Sequence, residues 1–178
     1  MRVTMNDLIN QSRKDLEELL YVMETKYIQA ISSNNVSELE DFYSEFNSIQ
    51  SLISIQKSTS DNFKIDKLII IGRMIELVRT SKEIMDGIKV SIINMTCPTK
   101  LKHIIQVIGN RTTGVIVSDV LADVFSMNSI EMDNLIRLLN SKVTYQPIEC
   151  IEGDELNLYF LSKIGQKFYD KYLVRQGD

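Results

Sequence analysis

Apolar side chains recur at steps of three and four residues through the first half of the chain, the spacing that aligns them on one face of a helix. A first helix is predicted to begin after the N-cap Thr4 and to run about seven to eight turns at 3.6 residues per turn. Its inner stripe consists of small and apolar residues: Met5, Leu8, Ser12, Leu16, Leu19, Met23, Tyr27 and Ala30. The polar cluster at residues 32–35 ends this helix.

Two further helices are predicted before Pro98. Asn35 or Ser37 caps the second helix, and its stripe comprises Leu39, Phe42, Phe46, Ile49 and Ile53. The third begins near Asp61 or Asn62, and its inner face comprises Leu68, Ile71, Ile75, Val78, Met85, Ile88, Ile92 and Met95. Apolar residues off this stripe, in the run LIII at 68–71, indicate burial on two sides, either by the earlier helices or by a second subunit.

The pattern changes after Pro98, where shorter elements alternate. A helix over TKLKHIIQVIGN precedes a β-branched strand at Val115–Val117, and Ser118 is predicted to cap a short helix over DVLADVF. The turn SMNS leads to a helix from about Ile130 to Asn140, with Met132, Leu135, Leu138 and Leu139 available for the core. Two strand candidates, KVTYQPIECI and ELNLYFLS, flank the turn EGD, and a last helix covers KIGQKFYDKYLVRQ.

This order of helix, strand, helix, turn, helix, hairpin and helix is that of a winged helix-turn-helix. The fold class is therefore predicted as mainly α (α+β). A long-helix hairpin or three-helix region over residues 1–96 is expected to serve dimerisation or scaffolding, and residues 97–178 are expected to form the winged helix-turn-helix domain.

The stretch LADVFSMNSIEMDNLIRLLNS at 121–141, the hairpin after it and the segment LYFLSKIGQKFYDKY together carry a resemblance. Over roughly its last 80 residues the chain resembles the MarR-like winged-helix transcriptional regulators, whose LT..G junction between wing and last helix is similar to LSKIG here. The resemblance implies a homodimer held by the N-terminal helices and a recognition helix around residues 129–140 in the major groove of DNA. Its implied DNA contacts are Asn128, Ser129, Asn134 and Arg137.

The distribution of charge limits which surfaces of the protein can contact DNA. The formal net charge is −4, and bases and acids nearly balance in the C-terminal region, so any DNA contact must come from a local patch. The bases that flank the motif and can supply such a patch are Lys100, Lys102, Arg111 and Lys142. On the recognition helix, Glu131 and Asp133 are expected to face outward and repel phosphate. The hairpin, where the family has arginines, carries Glu149, Glu152, Asp154 and Glu155.

An alternative function follows from the same charges: an acidic winged-helix interaction module or assembly scaffold that binds a basic protein partner and not DNA.

The sequence gives little support for a catalytic or metal-binding site. His103 is the single histidine, the two cysteines Cys97 and Cys150 lie far apart in sequence, and no nucleotide-binding, zinc-protease or EF-hand motif occurs. We therefore expect no enzymatic activity, no cofactor and no metal. The chain lacks a signal-like apolar segment and any run of the roughly 18 apolar residues that a membrane span needs. We expect a cytoplasmic protein with reduced cysteines and no membrane partner.

Overall fold

A computed structural model describes residues 12–33, 35–49 and 65–174. These residues form seven helices and one three-stranded antiparallel sheet, which confirms the predicted mainly helical composition with a small β part. The elements are α1 (Arg13–Ser32), α2 (Val36–Phe46), α3 (Ile65–Thr96), α4 (Thr99–Gly109), β1 (Val115–Val117), α5 (Ser118–Val124), α6 (Ser129–Asn140), β2 (Ile148–Ile151), β3 (Leu158–Leu161) and α7 (Lys163–Tyr172). None of these helices combines the length and the apolar composition that crossing a membrane requires.

The start of α1 differs from the prediction. Ser12 has an extended backbone and is the N-cap: its hydroxyl accepts a hydrogen bond from the Asp15 amide, and the Asp15 carboxylate accepts one from the Ser12 amide at 3.0 Å. Placing Ser12 inside a continuous helical stripe was therefore wrong, because this reciprocal capping satisfies backbone donors that would otherwise have no partner. The predicted cap Thr4 and the stripe residues before Ser12 lie outside the described residues.

α1, α2 and the first half of α3 bury one apolar cluster. Its fully or nearly buried members are Leu16, Leu20, Met23, Phe42, Phe46, Ile49, Ile70, Ile71, Met74 and Val78. Asn35 caps α2 by accepting from the Ser37 amide at 3.0 Å, which selects one of the two predicted caps. α2 ends at Phe46, and a 3₁₀ turn over residues 47–49 carries Ile49 into the core. The predicted stripe residue Ile53 and the turn at 57–62 fall outside the described residues.

α3 changes its buried side along its length. Ile71, Val78 and Met85 are buried as predicted, but beyond them the buried residues of α3 are Asp86, Val90 and Ile93, while Met95 is 76% exposed. The predicted stripe is thus wrong at Met95, and Ile88 and Ile92 are only half-buried, because Val90 and Ile93 are the residues of this part of α3 that belong to the core of the second unit. The chain divides into two compact units between Asp86 and Gly87, ten residues before the predicted boundary at 96/97.

In the second unit, α4 to α7 share one core with the small sheet. β3 is the central strand, antiparallel to both β1 and β2, in the order β1-β3-β2. The largest core side chains come from every element: Leu101, Ile104, Ile105, Ile108, Ile116, Leu121, Met132, Ile136, Ile148, Tyr159 and Phe168. The predicted core residue Leu138 is 56% exposed, and Ile136, one turn after Met132, is buried in its place.

The junction between β3 and α7 depends on a glycine. Ser162 caps α7 by accepting from the Gly165 amide at 3.1 Å, and its hydroxyl donates to the Gln146 carbonyl at 2.9 Å. A Cβ on Gly165 would collide with the carbonyl oxygen of Pro147. The Ser-x-x-Gly spacing therefore fixes the helix against the segment that leads into β2.

Candidate nucleic-acid interface

Two short helices joined by a tight turn form the centre of the candidate site. α5 and α6 contact each other, and Leu121 of α5 and Met132 of α6 are fully buried in the shared core. The turn at 125–128 passes through the left-handed region at Ser126, whose φ is 54°. Ser118 was predicted to cap α5, but it is the first helical residue, and its hydroxyl accepts from the Asn157 amide at 3.3 Å.

At the N-terminus of α6, polar side chains predicted to contact DNA hold the helix start. Asn128 is the N-cap, and its side-chain oxygen accepts from the Glu131 amide at 2.9 Å. The Glu131 carboxylate in turn accepts from the Asn128 amide at 3.2 Å. The Ser129 hydroxyl donates to the Asp119 carboxylate of α5. Asn128, Ser129 and Glu131 therefore serve the geometry of the turn, and the spacing N-x-x-E was a capping-box signal already present in the sequence.

Asp133 was predicted to lie on the outward face of α6, and this is wrong. Its carboxylate accepts hydrogen bonds from the Tyr159 hydroxyl at 2.7 Å and from the Asn157 amide group at 2.6 Å, so it links α6 to β3. Burial, followed by the hydrogen bond to Asp133, raises the pKa of Tyr159 well above its ordinary value. Sequence reasoning missed this link because the partners lie 24 and 26 residues away.

The outward side of α6 carries Ile130, Asn134, Arg137 and Leu138, at the spacing of one helical face. Ile130 is 74% exposed and Leu138 56%, so this face is part polar and part apolar. Arg137 does not extend freely into solvent: its guanidinium donates to the carboxylate of Glu152, beyond β2, at 2.7 Å. Asn134 and Arg137 are thus the two predicted DNA contacts that lie on the exposed face of α6.

The four flanking bases lie on different elements and differ in their roles. Lys102 donates from its ammonium group to the Asn94 carbonyl at 3.0 Å and to the Asn94 side-chain oxygen at 3.1 Å, near the end of α3. Lys100 is exposed in the first turn of α4, and Arg111 is exposed two residues after the helix ends; the helix between them is about 14 Å long from Lys100 to Gly109 at a rise of 1.5 Å per residue. Lys142 is exposed just after α6. Lys102 stabilises a helix junction, and Lys100 and Arg111 cannot form one compact patch.

Acidic side chains dominate the hairpin formed by β2 and β3. Glu149, Glu152, Asp154 and Glu155 are all exposed, and the segment from Ile148 to Leu161 contains no lysine or arginine. The hairpin therefore carries a net negative charge that repels a phosphate backbone, and Arg137 compensates only the charge of Glu152.

The cysteines and the histidine are not assembled into a site. Cys97 is buried, and that burial raises the pKa of its thiol to about 11, so the group is neutral at physiological pH. Cys150 is exposed on β2, and His103 is exposed on α4. Within the described ranges, no three histidine, cysteine or acidic side chains come close enough to hold a metal ion.

The geometry therefore leaves a short exposed stretch of α6, supported by the turn before it and the strand behind it, as the best-defined candidate for recognition. Its polar members are Asn134 and Arg137, and its neighbours are apolar or acidic. Comparison with known proteins adds no family to this description, since no family model, no curated protein and no solved structure matches the chain.

Proposed function

We propose that this protein is a dimeric winged-helix DNA-binding protein, a transcriptional regulator that reads the major groove with α6. The observation that carries the proposal is the orientation of the two acids on that helix. Glu131 is engaged in the cap, and Asp133 faces β3. The acids that argued against DNA in the sequence are thus held in intramolecular hydrogen bonds, while Asn134 and Arg137 remain on the exposed side.

Two features support the winged-helix interpretation. The element order from α4 to α7 is the helix, strand, helix, turn, helix, hairpin and helix expected of a winged helix-turn-helix, and β2 and β3 pair as an antiparallel hairpin. The exposed side chains of α6 also suit DNA recognition, since asparagine can bond both the acceptor and the donor on the major-groove edge of adenine, and arginine binds phosphate or guanine.

Binding requires Arg137 to exchange Glu152 for a phosphate. Their side chains are 63% and 71% exposed, and exposed ion pairs contribute only about 0 to 1 kcal/mol. A phosphate oxygen can therefore displace the carboxylate at small cost. The acidic hairpin then limits the contact area, so we expect modest affinity that weakens as salt is raised.

The dimer is proposed to form through the N-terminal helices. α1 exposes several large apolar side chains, including Tyr21 at 71% and Ile28 at 63%, which a second copy would bury. A two-fold dimer of this class places its recognition helices about 34 Å apart, one turn of DNA. Light scattering of the full chain measures the oligomeric state directly, and a monomer at all concentrations contradicts this part of the proposal.

The second candidate is an acidic winged-helix interaction module without DNA binding. It is favoured by Ile130 and Leu138, which are exposed on either side of Asn134 on the same helix face. Apolar side chains at such positions are more typical of a protein interface than of contacts to phosphates.

A DNA-binding titration distinguishes the two candidates. Fragments of the native locus are titrated with the full chain at about 0.05 M and about 0.2 M salt, a range over which phosphate-dominated binding changes strongly. We expect Arg137→Ala to weaken binding about tenfold and to reduce the salt dependence by about one ion. Asn134→Ala is expected to reduce sequence preference by about 1 to 3 kcal/mol.

The matched control is Arg73→Ala, which removes an exposed arginine from α3 in the N-terminal unit. Its effect should be confined to a small uniform loss. Absence of any retarded complex at low salt, or equal losses for Arg137→Ala and Arg73→Ala, favours the interaction module over DNA recognition.

A further inference from the structure

The small sheet has two faces, and only one of them belongs to the core. Residues that pair directly across antiparallel strands point to the same side. Tyr159 is buried and pairs with Ile116 on one strand and Cys150 on the other, so these three define the inner face. The alternate positions form the opposite side, which we call the outer sheet face: Val115, Val117, Glu149, Ile151, Leu158 and Phe160.

Five of these six side chains are apolar, yet none of the five belongs to the buried core or packs against it. Ile151 is 56% exposed and Val115 is 40% exposed. Val117, Leu158 and Phe160 are half-buried. A sheet with one solvated face normally carries polar residues there, so a continuous apolar face is the composition of a surface that another segment covers.

Acidic side chains lie on and beside this face. Glu149 lies on it, directly opposite Phe160. Asp154 and Glu155 are exposed at the turn next to Ile151, and within the described part of the chain neither they nor Glu149 lie within salt-bridge distance of a base. An apolar centre with unpaired acids at its border complements a segment that is apolar on one side and basic on the other.

We propose that the outer sheet face binds a basic amphipathic segment of a partner protein. The apolar side of that segment packs on Ile151, Leu158 and Phe160, and its lysines or arginines pair with the acids at the border. This binding is separate from DNA recognition, because α6 lies on the inner side of the same sheet, where Asp133 accepts a hydrogen bond from Tyr159. DNA on α6 and a protein on the outer face therefore occupy opposite sides of the sheet.

The test uses a synthetic helical peptide of about 18 residues with leucines on one face and lysines on the other. The second probe is the same peptide with each lysine replaced by glutamate. Each peptide is titrated into the isotopically labelled full chain, and the residues whose amide chemical shifts change locate the contact. We expect the lysine peptide to shift residues 115–117, 149–151 and 158–160, and the glutamate peptide to leave them unchanged. Raising salt from about 0.05 M to about 0.5 M should weaken the complex.

Two variants with matched controls measure the contributions of the face. Ile151→Ser and Glu149→Lys should each weaken the lysine peptide by about tenfold. Ile69→Ser replaces an isoleucine that is 60% exposed on α3, and Asp41→Lys reverses an exposed acid on α2; both should bind as the parent does. All four side chains are at the surface, so we expect each variant to keep the parent fold. Amide spectra that are unchanged away from the substituted residue check this.

Several outcomes overturn the proposal. Equal affinity for the two peptides would show that the acids do not select a basic segment. Unchanged affinity of Ile151→Ser and Glu149→Lys for the lysine peptide would show that the outer sheet face is not the binding site. A concentration-dependent dimer that Ile151→Ser abolishes assigns the face to a second copy of this chain. These results are independent of the DNA titration, so either function can fail alone.

Discussion

Replacing Asp133 by alanine removes the carboxylate that joins α6 to β3. The hydroxyl of Tyr159 and the side-chain amide of Asn157 donate to it at 2.7 and 2.6 Å. Tyr159 is 1% exposed, so after the substitution its hydroxyl has neither the carboxylate nor bulk water as an acceptor, and the Cys150 thiol, which also contacts this hydroxyl, is only a weak acceptor. Asn157 is only half-buried and can bond to water instead.

The magnitude follows from these two environments. A hydrogen bond to a charged group contributes about 1.5 to 3 kcal/mol, and a buried donor left without a partner costs about 1 to 3 kcal/mol. The Tyr159 bond supplies most of the effect, because Asn157 is rehydrated. We expect Asp133→Ala to lower the free energy of unfolding by about 2 to 4 kcal/mol.

Urea unfolding of the full chain, followed by circular dichroism, measures this loss. A double-mutant cycle with Tyr159→Phe isolates the pair, and its coupling energy should be about 1 to 2 kcal/mol. Asp123→Ala is the matched control, since Asp123 is an exposed aspartate on α5, and it should change stability by no more than about 0.5 kcal/mol. If Asp133→Ala costs no more than this control, or if the coupling is zero, Asp133 does not anchor the helix.

Three further predictions test other contacts. Gly165→Ala should destabilise the protein by about 1 to 3 kcal/mol in urea unfolding because its Cβ meets a backbone carbonyl; Gly72→Ala, whose Cβ meets nothing within 4 Å, should instead stabilise it by up to about 1 kcal/mol, and equal effects would refute the steric argument. Glu152→Gln should release Arg137 and raise DNA affinity about two- to fivefold in the DNA titration, whereas lower affinity would show that the pair orders the arginine for binding. Burial raises the pKa of the Cys97 thiol from 9.0 to about 11. The contribution of the neutral thiol to the free energy of unfolding is therefore fully present below about pH 9 and is lost as pH rises through about 11. Alkylation followed by mass spectrometry should show this thiol slow below pH 9, and rapid reaction at neutral pH would contradict its burial.

Much of the C-terminal half follows from local signals. The β-branched run at Val115–Val117, the turn composition between β2 and β3 and the Ser-x-x-Gly start of α7 each specify an element within a few residues. The capping pair Asn128 and Glu131 also belongs to this class, because both partners lie within one helical turn. Such features are readable from sequence, since every group that makes the interaction lies within about four residues of its partner.

The candidate site was less accessible. The sequence identified α6 and its polar residues, but it could not say which of them face the solvent. Asp133 faces inward because Tyr159 and Asn157 are brought beneath it by the hairpin. Arg137 forms an ion pair because Glu152, the residue directly after β2, lies beside its guanidinium group. Lys102 donates to the Asn94 carbonyl, a contact that depends on how the chain bends at the two residues between α3 and α4.

The sequence by itself determined the type and order of the elements, since periodicity, caps and turn residues act over a few positions. Tertiary structure alone decided which side of each element is used. α3 changes its buried side because it serves two cores in succession. The outer sheet face became visible only when strand register placed Val115, Phe160 and Glu149 side by side. Contacts between distant residues depend on how whole elements pack, and no local pattern encodes that geometry.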